Sequence, residues 1–396
     1  MDVKLDAKRW RKRRGMAKLL DALGSDEGLT RYVGGAVRDE LLRLPVSDVD
    51  LATRLRPEEV VERLQAAGIK AVPTGIEHGT VTAVSDGHPY EVTTLRRDIE
   101  TFGRHATVAF SDNWEEDAAR RDFTINALMA DPVSGEIFDY FGGLADLEVR
   151  RVRFIGDPFE RIAEDHLRIL RFFRFHARFG RGEPDEAALG ACTERAKDLM
   201  ALSRERIADE LLKLLSVDEP VATVRVMLER KILSPVLPEI GDTAWAALDA
   251  LIRAEIEAAI EGEPLRRLAA LLPRNPEIAA AVTARLKLSN RARKRVACAA
   301  EPAGADPYET AYRLSTECSV DRLLLAGRPQ EARTIGQWSP PRLPVTGGAL
   351  IKRGLTEGPD VSRTLRHIED RWIESGFPGG SELEAIVSDA LAANSR

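Results

Sequence analysis

Two aspartates separated by one residue, Asp48 and Asp50, follow the glycine pair Gly34 and Gly35. In an extended segment, residues i and i+2 point to the same face, so both carboxylates can reach one set of hard divalent cations, and Mg2+ is the ion we expect. A glycine turn lets backbone amides approach a triphosphate, because no Cβ stands in the way. Carboxylates that hold such ions beside a phosphate cradle are typical of phosphoryl-transfer sites. The segment is not a Walker loop, since no Gly-Lys-Ser/Thr follows the glycines.

The residues around these two pairs predict the elements that position them. The pattern indicates a strand over 31–33, the glycine turn, a short helix over 36–44 that carries Arg38, and a second strand that starts near Asp48. Two strand ends should then meet at one edge of a sheet, with the aspartates beside the glycine turn.

Composition indicates how many domains the chain can form and how its cysteines are used. The 396 residues are 44% hydrophobic and 31% charged, which is enough apolar material for two or more domains. Cys192, Cys298 and Cys318 are widely separated and form no C-x-x-C pattern, so we expect neither a disulfide framework nor a zinc site, and a reducing compartment.

The start of the chain and its net charge bear on where the protein is found and on whether it binds nucleic acid. The basic segment 1–14 is not followed by an apolar stretch, which argues against a secretory signal, and no window is long and apolar enough to span a membrane. We expect a soluble cytoplasmic protein. With a formal net charge of -6, any nucleic-acid binding must depend on local basic surfaces.

The character of the sequence changes near residue 150. Before it, β-branched and alternating runs predict strands, and after it helical patterns dominate. The predicted strands are 31–33, 49–53, 70–73, 79–84 and 90–95, and the predicted helices of this first part include 57–67 and 117–128. The helical segments that follow are 158–179, 184–202, 203–215, 221–230, several stretches within 245–300, 361–375 and 382–392. The predicted fold class is α+β, with an N-terminal sheet domain followed by an all-helical C-terminal half.

Side chains that suit a nucleotide occur again after residue 119. Adjacent arginines cannot share one helix face, so one of Arg120 and Arg121 can bind a ligand while the other pairs locally. Arg121, Thr124 and Asn126 suit contacts to the sugar and phosphates of a nucleotide. Taken alone, the arginine pair is more often part of a surface ion-pair network.

Four arginines follow one face of a predicted helix in the second half of the chain. At 100° per residue, Arg168, Arg171, Arg174 and Arg178 fall within an arc of about 120°. The opposite side is apolar and should pack, while the arginine side stays charged. A solvated basic face is the usual interpretation of such spacing. The interpretation as a binding site depends on an acidic residue three positions before the first arginine, Asp165.

Asp165 and Arg168, at i and i+3, can present an acceptor beside a donor fork. Cytosine offers an amine donor next to the N3 acceptor and adenine an amine next to N1, whereas guanine and uracil place a carbonyl oxygen where the carboxylate would lie. Such a pair would bind C and A and repel G and U. The discrimination can reach on the order of 10^4 where a wrong ligand leaves polar groups of the site unpaired. Arg171 and Arg174 could then stack on the base or hold phosphates.

Three ordered motifs give the chain a specific resemblance to a known family. Segments 34–39 with 48–50, 120–127 and 164–174 resemble the motifs of bacterial tRNA nucleotidyltransferases, the CCA-adding enzymes of the class II type. These enzymes belong to the polymerase β nucleotidyltransferase superfamily, which also contains bacterial poly(A) polymerases. Weaker similarity continues at 203–207 and 343–350. The resemblance implies a polymerase β-like palm in the sheet domain.

The family's functional residues can be carried over residue by residue. The resemblance implies that Asp48 and Asp50 bind catalytic Mg2+, with Glu91 as a third carboxylate. It implies that Asp165 and Arg168 read the base. The residues expected around the incoming nucleotide are Gly34, Gly35, Arg38, Arg121, Asn126, Asp165, Arg168, Arg171 and Arg174.

The resemblance also implies an activity and a domain order. The expected reaction is template-independent addition of CCA to the 3′ end of tRNA from CTP and ATP, with release of pyrophosphate. The expected domains are a catalytic head (1–150), a nucleotide-reading neck (151–215), a helical body (216–300) and a helical, tRNA-binding tail (301–396).

Three alternatives to full CCA addition stay open on the sequence. In the loop that helps the family switch from C to A, Phe102 stands where an acidic residue is expected, so addition of CC alone or A alone remains one alternative. A poly(A) polymerase would share every motif. A noncatalytic RNA-binding module of the same fold is the third, although such a module would not need the aspartate pair.

Overall fold

The computed structural model describes residues 4–76, 79–102 and 105–394. The chain forms two compact units, Met1–Pro238 and Glu239–Arg396. The described strands all lie in the first unit, and the second unit is helical. The finer division into 1–150, 151–215, 216–300 and 301–396 stays a prediction.

Seven strands of the first unit form one mixed sheet in the order β3-β4-β5-β2-β1-β8-β9. Together with β6 and β7, which lie outside this sheet, the described strands are β1 Thr30–Val33, β2 Asp50–Thr53, β3 Lys70–Gly75, β4 Thr80–Ser85, β5 His88–Thr94, β6 Arg96–Phe102, β7 His105–Phe110, β8 Met129–Ala130 and β9 Ile137–Phe138. Strands β2 and β5 run parallel, the other pairs of this sheet run antiparallel, and β6 and β7 form a separate hairpin.

Helices cover the sheet and then continue to the end of the described chain. In the first unit they are α1 Ala7–Arg11, α2 Met16–Ala22, α3 Gly35–Leu41, α4 Pro57–Ala66, α5 Trp114–Ala119, α6 Gly143–Glu148, α7 Pro158–Glu164, α8 Arg168–Phe179, α9 Glu186–Glu194, α10 Arg204–Leu215 and α11 Val221–Glu229. In the second unit they are α12 Ala244–Ala258, α13 Pro264–Leu271, α14 Pro276–Arg285, α15 Asn290–Ala300, α16 Pro307–Arg313, α17 Thr316–Leu325, α18 Pro329–Gly336, α19 Gly347–Lys352, α20 Pro359–Glu374 and α21 Gly380–Asn394. Among the described residues, no helix is both long enough and apolar enough to cross a membrane.

The predicted α+β fold class is confirmed, and the five predicted strands match β1 to β5 closely. The helix predicted over 117–128 is wrong. Helix α5 ends at Ala119, and a short 3-10 turn, Thr124–Asn126, leads into β8. The cause is Phe123, which is fully buried, has an extended backbone and forms a β-bridge with Phe154. This tertiary contact outweighs the local preference for helix.

The single helix predicted over 158–179 is also wrong, because α7 and α8 are separated at Asp165. The Asp165 backbone is extended (φ −151°, ψ 106°), and its Oδ1 accepts a hydrogen bond from the Leu167 amide at 3.1 Å. The side chain therefore competes with the helical hydrogen bonds and starts a new helix. As a result, Asp165 and Arg168 do not lie at i and i+3 of one continuous helix.

The cysteine prediction needs a correction in the second unit. Cys298 of α15 and Cys318 of α17 form a disulfide, with their Cα atoms 6.1 Å apart, whereas Cys192 is free and buried. Twenty residues separate the bonded pair. The sequence showed no local pattern because packing of α15 against α17, and not short spacing, brings the two thiols together.

Aromatic rings form the contact between α8 and the segment that follows the sheet. Phe172 is fully buried, with its ring centroid 5.8 Å from that of Phe154, 6.4 Å from that of Phe123 and 5.2 Å from that of Phe173. These rings hold α8 against the segments around residues 123 and 154, so the arginine face of α8 has a fixed place relative to the sheet domain.

Replacing Phe172 by alanine should therefore lower the free energy of unfolding of the first unit by about 3–5 kcal/mol, since a buried ring is lost and a cavity remains. Urea unfolding followed by far-UV circular dichroism measures this change. Val149→Ala is the control, because Val149 is 62% exposed and its loss should change the free energy by less than about 0.5 kcal/mol. Equal effects of the two variants would contradict this assignment of the core.

Candidate functional site

The pairing of β1 with β2 places the glycine turn beside the aspartates. Val33 pairs with Asp50 across the two antiparallel strands, so Gly34 follows at the same end of the sheet. Gly34 has φ +71°, and a Cβ at this position would lie 2.9 Å from Nη1 of Arg121. Glycine is therefore required here both by the backbone conformation and by the close approach of an arginine. The turn leads directly into α3.

Three carboxylates gather at this end of the sheet. Asp48 and Asp50 are exposed while Val49 between them is buried, as expected for an extended segment with both carboxylates on one face. Glu91 lies on the neighbouring parallel strand, where Leu51 pairs with Val92. Desolvation is the largest cause of the raised pKa of Asp50, and the negative charge of Glu91 is the next. Arg121 lowers this pKa, and Asp48 raises it by less than Arg121 lowers it.

This acidic cluster of Asp48, Asp50 and Glu91 carries uncompensated negative charge. In the described part of the chain, none of the three forms an ion pair, and Asp48 accepts one hydrogen bond from Ser47 Oγ at 2.9 Å. Two or three hard carboxylate oxygens with no cationic partner fit a divalent cation. Among residues 4–76, 79–102 and 105–394, no group of three or more His, Cys, Asp or Glu side chains is arranged to hold a metal, so metal binding by Asp48, Asp50 and Glu91 stays a prediction.

Arg120 and Arg121 share one buried partner, Asp117, which the sequence did not single out. Arg120 Nε donates to Asp117 Oδ1 at 2.8 Å, and Arg121 Nη2 donates to Oδ2 at 3.2 Å. Burial alone would raise the pKa of Asp117, but the charges of the two arginines bring it below its ordinary value. The buried Nε of Arg121 has no partner among the described residues. Arg121 is therefore held in place with part of its hydrogen-bonding capacity unused.

Asp122 is a buried hub that connects two of the predicted nucleotide contacts. Its Oδ1 accepts from Asn126 Nδ2 at 2.9 Å, and its Oδ2 accepts from Arg171 Nε at 2.8 Å. Asn126 Oδ1 in turn accepts from Arg38, whose guanidinium lies 3.9 Å from the centroid of the Phe179 ring. Burial opposes ionisation of Asp122, yet Arg171 and the bond from Asn126 lower its pKa. The hub fixes Arg38, Asn126 and Arg171 relative to one another.

Thr124 does not reach the site. Its hydroxyl donates at 2.6 Å to Oδ2 of Asp146, which is fully buried and also paired with Arg151 and Arg153. The expectation that this hydroxyl suits a nucleotide contact is therefore wrong. The hydrogen bond from Thr124 to Asp146 instead joins the 3-10 turn to α6.

The pair predicted to read the base, Asp165 and Arg168, is positioned by partners on other elements and not by helix spacing. Asp165 Oδ2 accepts from Arg206 Nη2 of α10 at 2.7 Å. Arg168 pairs with Glu164 and donates to the carbonyl of Arg161 at 2.8 Å. Arg206 was missed as a site residue, although the run 203–207 carried a weak family signal.

The remaining arginines of the α8 face are also paired, so the interpretation of that face as simply solvated is wrong. Arg174 Nε donates to Glu210 Oε2 of α10 at 2.6 Å and lies 4.5 Å from the centroid of the Phe175 ring. Glu210 is only 3% exposed and also lies 3.8 Å from Nη1 of Arg171. Arg178 is 3.9 Å from Oδ2 of Asp39. Buried carboxylates therefore set the geometry of this face.

Most of the predicted nucleotide contacts line one cavity of about 530 Å³ within the first unit. Its lining residues are Gly34, Gly35, Arg38, Arg121, Asp122, Asn126, Asp165, Leu167, Arg168, Arg171, Phe175 and Arg206. Arg174 instead lines a neighbouring cavity. Asp48, Asp50 and Glu91 do not line the cavity, but Arg121 lies close enough to Asp50 to affect its pKa. An arginine-rich cavity thus adjoins an acidic cluster, which suits a polyphosphate accompanied by a divalent cation.

Gly103 and Arg104, which follow Phe102 in the sequence, lie outside the described residues. The Phe102 side chain is likewise not among those described, so the prediction for this loop stays a prediction.

Comparison with known proteins identifies two matching family models. Residues 30–153 match the poly A polymerase head domain, and residues 183–243 match the probable RNA and SrmB-binding site of polymerase A. The mitochondrial CCA tRNA nucleotidyltransferase 1 of Mus musculus is 34% identical over 387 residues, which is 92% of this chain and 87% of the mouse protein. The CCA-adding enzyme of Lacticaseibacillus paracasei is 34% identical over 384 residues, covering 90% of each chain.

A solved structure also resembles this chain over nearly its whole length. The Bacillus stearothermophilus CCA-adding enzyme in complex with CTP superimposes with a TM-score of 0.71 at 25% identity, covering 96% of this chain and 99% of that one. The resemblance predicted from the three sequence motifs is confirmed by these matches.

The raised pKa of Asp50 has a consequence for stability. An acid whose pKa is higher in the folded chain destabilises the fold where it is ionised, so the penalty is present above the raised pKa and absent below the unfolded value of 3.8. Without divalent cations, Asp50→Asn should therefore raise the Tm at pH 7, and the gain should vanish as the pH falls below about 4. Differential scanning fluorimetry in EDTA measures this difference. A Tm that falls at pH 7 would contradict it, and Asp86→Asn, in the exposed turn between β4 and β5, is the control.

Proposed function

The chain belongs to the family of CCA-adding tRNA nucleotidyltransferases, and on that premise we propose that it adds C, C and A to the 3′ end of tRNA from CTP and ATP, without a nucleic-acid template. The observation that carries the proposal is the adjacency of the acidic cluster to the arginine-rich cavity. One part suits a divalent cation, and the other suits a nucleoside triphosphate and can read its base.

The family implies use of a divalent metal, which we assign as Mg2+. In the proposal Asp48 and Asp50 hold the ion and Glu91 assists them. When bound there, Mg2+ would lower the pKa of the RNA 3′-hydroxyl and neutralise charge on the pyrophosphate that leaves. The uncompensated charge of the three carboxylates supports this assignment.

We assign the triphosphate to the part of the cavity nearest the glycine turn. Gly34 and Gly35 line it, and Arg121 and Arg38 supply cationic donors whose positions are set by Asp117 and Asn126. Asn126, which lines the same part of the cavity, is assigned to the nucleotide as well. Fixed donors need no rearrangement when charge develops on the phosphates, which is the main way such sites accelerate phosphoryl transfer.

We assign base selection to Asp165 and Arg168. Arg206 holds one carboxylate oxygen of Asp165 and Glu164 holds the guanidinium of Arg168, so both groups are positioned before a base arrives. Arg171 lines the same cavity and is assigned to its wall. Arg174 donates to Glu210 and lines a second cavity, and its contact with the nucleotide stays a prediction.

The remaining parts of the proposal rest on the sequence and the family. Residues 1–150 act as the catalytic head and 151–215 as the nucleotide-reading neck. The helical body (216–300) and tail (301–396) hold the tRNA acceptor end through phosphate contacts and shape, with exposed Arg291 as one candidate contact. The cytoplasmic location stays a prediction from the sequence.

Asp48→Asn should reduce incorporation of every nucleotide to background, because the variant loses one of the two metal-binding carboxylates. The assay offers a tRNA that lacks its CCA end with each nucleotide separately and sequences the products. Asp86→Asn, an exposed aspartate of the same sheet domain, is the matched control and should keep wild-type activity. Full activity of Asp48→Asn would refute the metal assignment. Long A tails without use of CTP would instead identify a poly(A) polymerase.

Asp165→Ala should abolish most of the preference for CTP and ATP over GTP and UTP. A site that uses a carboxylate can set this preference at on the order of 10^4. The measurement is kcat/KM for each nucleotide on the same tRNA. Asp209→Ala, on the exposed side of α10, should leave the preference unchanged. Continued exclusion of GTP and UTP by Asp165→Ala would mean that another group reads the base.

A further inference from the structure

The basic segment at the start of the chain is built into the head and does not project from it. Residues 9–15, called here the N-terminal brace, comprise the end of α1 and the link from it to α2. Trp10 is fully buried, and its ring meets that of Tyr32 on β1 edge-on at a centroid distance of 4.8 Å. Its Nε1 donates at 3.2 Å to Glu40, which is also bound by Arg9 at 2.7 Å. The brace is therefore fixed to the sheet and to α3, the helix that follows the glycine turn.

Arg13 of the brace binds the loop that carries Asp48. Its Nη1 donates to the carbonyl of Ser47 at 3.0 Å, and its Nη2 donates to the carbonyl of Val46 at 2.7 Å. Residues 44–49 have no regular secondary structure. Within the described residues, Arg13 is the only group outside this loop that hydrogen bonds to the backbone of residues 45–48. One guanidinium therefore anchors the approach to Asp48.

The next two residues of the brace bind the strands on the other side of the acidic cluster. The carbonyl of Arg14 accepts from the Tyr90 hydroxyl at 2.7 Å, and Tyr90 directly precedes Glu91 on β5. The carbonyl of Gly15 accepts from Ser85 Oγ at 2.8 Å. Gly15 has φ +72°, and a Cβ there would lie 2.6 Å from the Ser85 carbonyl oxygen, so the contact needs glycine. Arg13 thus contacts the loop that carries Asp48, Arg14 contacts the strand that carries Glu91, and Gly15 contacts the neighbouring strand β4.

We propose that Arg13 is a positioning residue for the acidic cluster, fixing the Asp48 carboxylate relative to Asp50 and Glu91 through its bonds to Val46 and Ser47. The inference rests on the proposed function, in which Asp48 and Asp50 hold the divalent cation. Without the fork of Arg13, Asp48 would sit on an unsupported loop, and ordering that loop would reduce the free energy of cation binding. Removing a group that orients a metal ligand lowers metal affinity by about 10-fold to 100-fold.

The alternative use of these cations is direct contact with RNA phosphates. Both terminal guanidinium nitrogens of Arg13 already donate hydrogen bonds to the loop backbone. The neighbouring Lys12 is exposed and forms no ion pair or side-chain hydrogen bond within the described residues. An RNA role based on charge would depend on Lys12 at least as much as on Arg13. The two residues therefore form a matched pair for a test.

The test compares Arg13→Ala with Lys12→Ala in the full-length protein. Mn2+ affinity is measured by electron paramagnetic resonance without nucleotide or RNA, and deuterium uptake is measured at the amides of 46–49. We expect Arg13→Ala to bind Mn2+ about tenfold more weakly, to exchange these amides faster, and to keep the KM for tRNA. Lys12→Ala should match the wild type in all three. Arg13→Lys keeps the charge but not the fork, so it should lose Mn2+ affinity as well, and it decides the question if Arg13→Ala does not fold.

Two results would overturn the inference. Wild-type Mn2+ affinity in both Arg13 variants would show that the loop needs no anchor, and an equal rise in the KM for tRNA in Arg13→Ala and Lys12→Ala would show an RNA role. Asp48→Asn separates this from the proposed function. If Asp48→Asn loses Mn2+ and the Arg13 variants do not, only the positioning role is wrong, whereas wild-type Mn2+ affinity in Asp48→Asn would remove the metal assignment itself.

Discussion

The antiparallel pairing of β1 with β2 is the constraint on which the rest of the site depends. Because Val33 lies opposite Asp50, the end of β1, which leads into the glycine turn, meets the start of β2, which follows directly after Asp48 and Val49. A shift of this register by one residue would turn Asp50 toward the core and move the turn away from the carboxylates. The parallel pairing of β2 with β5 then adds Glu91 from the other side. Two adjoining ladders of backbone hydrogen bonds, β1 with β2 and β2 with β5, thus define the acidic cluster and the start of the cavity.

Buried carboxylates fix the positions of the arginines, as strand pairing fixes the positions of the aspartates. Asp117, Asp122 and Glu210 are each less than a tenth exposed, and each fixes at least one arginine near the cavity. A buried carboxylate without its arginine would be costly, so these pairs stabilise a single arrangement more than they stabilise the fold as such. The aromatic rings under α8 provide the rigid support for that arrangement.

The sequence predicted the parts of the site that depend on local pattern. Asp48 with Asp50 follows from the period of two along a strand, and Gly34 follows from the need for an unhindered turn. It did not predict partners that are distant along the chain. Arg206 and Asp165 are 41 residues apart, Arg171 and Asp122 are 49 apart, and no periodicity connects them. The break between α7 and α8 was also missed, because a single side-chain hydrogen bond at Asp165 decides it and helical spacing continues on both sides.

The two halves of the site differ in how their charge is balanced, and this difference suits one kind of ligand. Desolvation, and after it the negative charge of Glu91, raises the pKa of Asp50, so a cation bound there would relieve an existing cost. The cavity arginines are already paired, so an anion must offer good geometry to gain much from them. A free cation would satisfy only the first half and a free phosphate only the second. A nucleoside triphosphate bound to a divalent cation would satisfy both at once, because it offers a cation to the carboxylates and phosphates to the arginines.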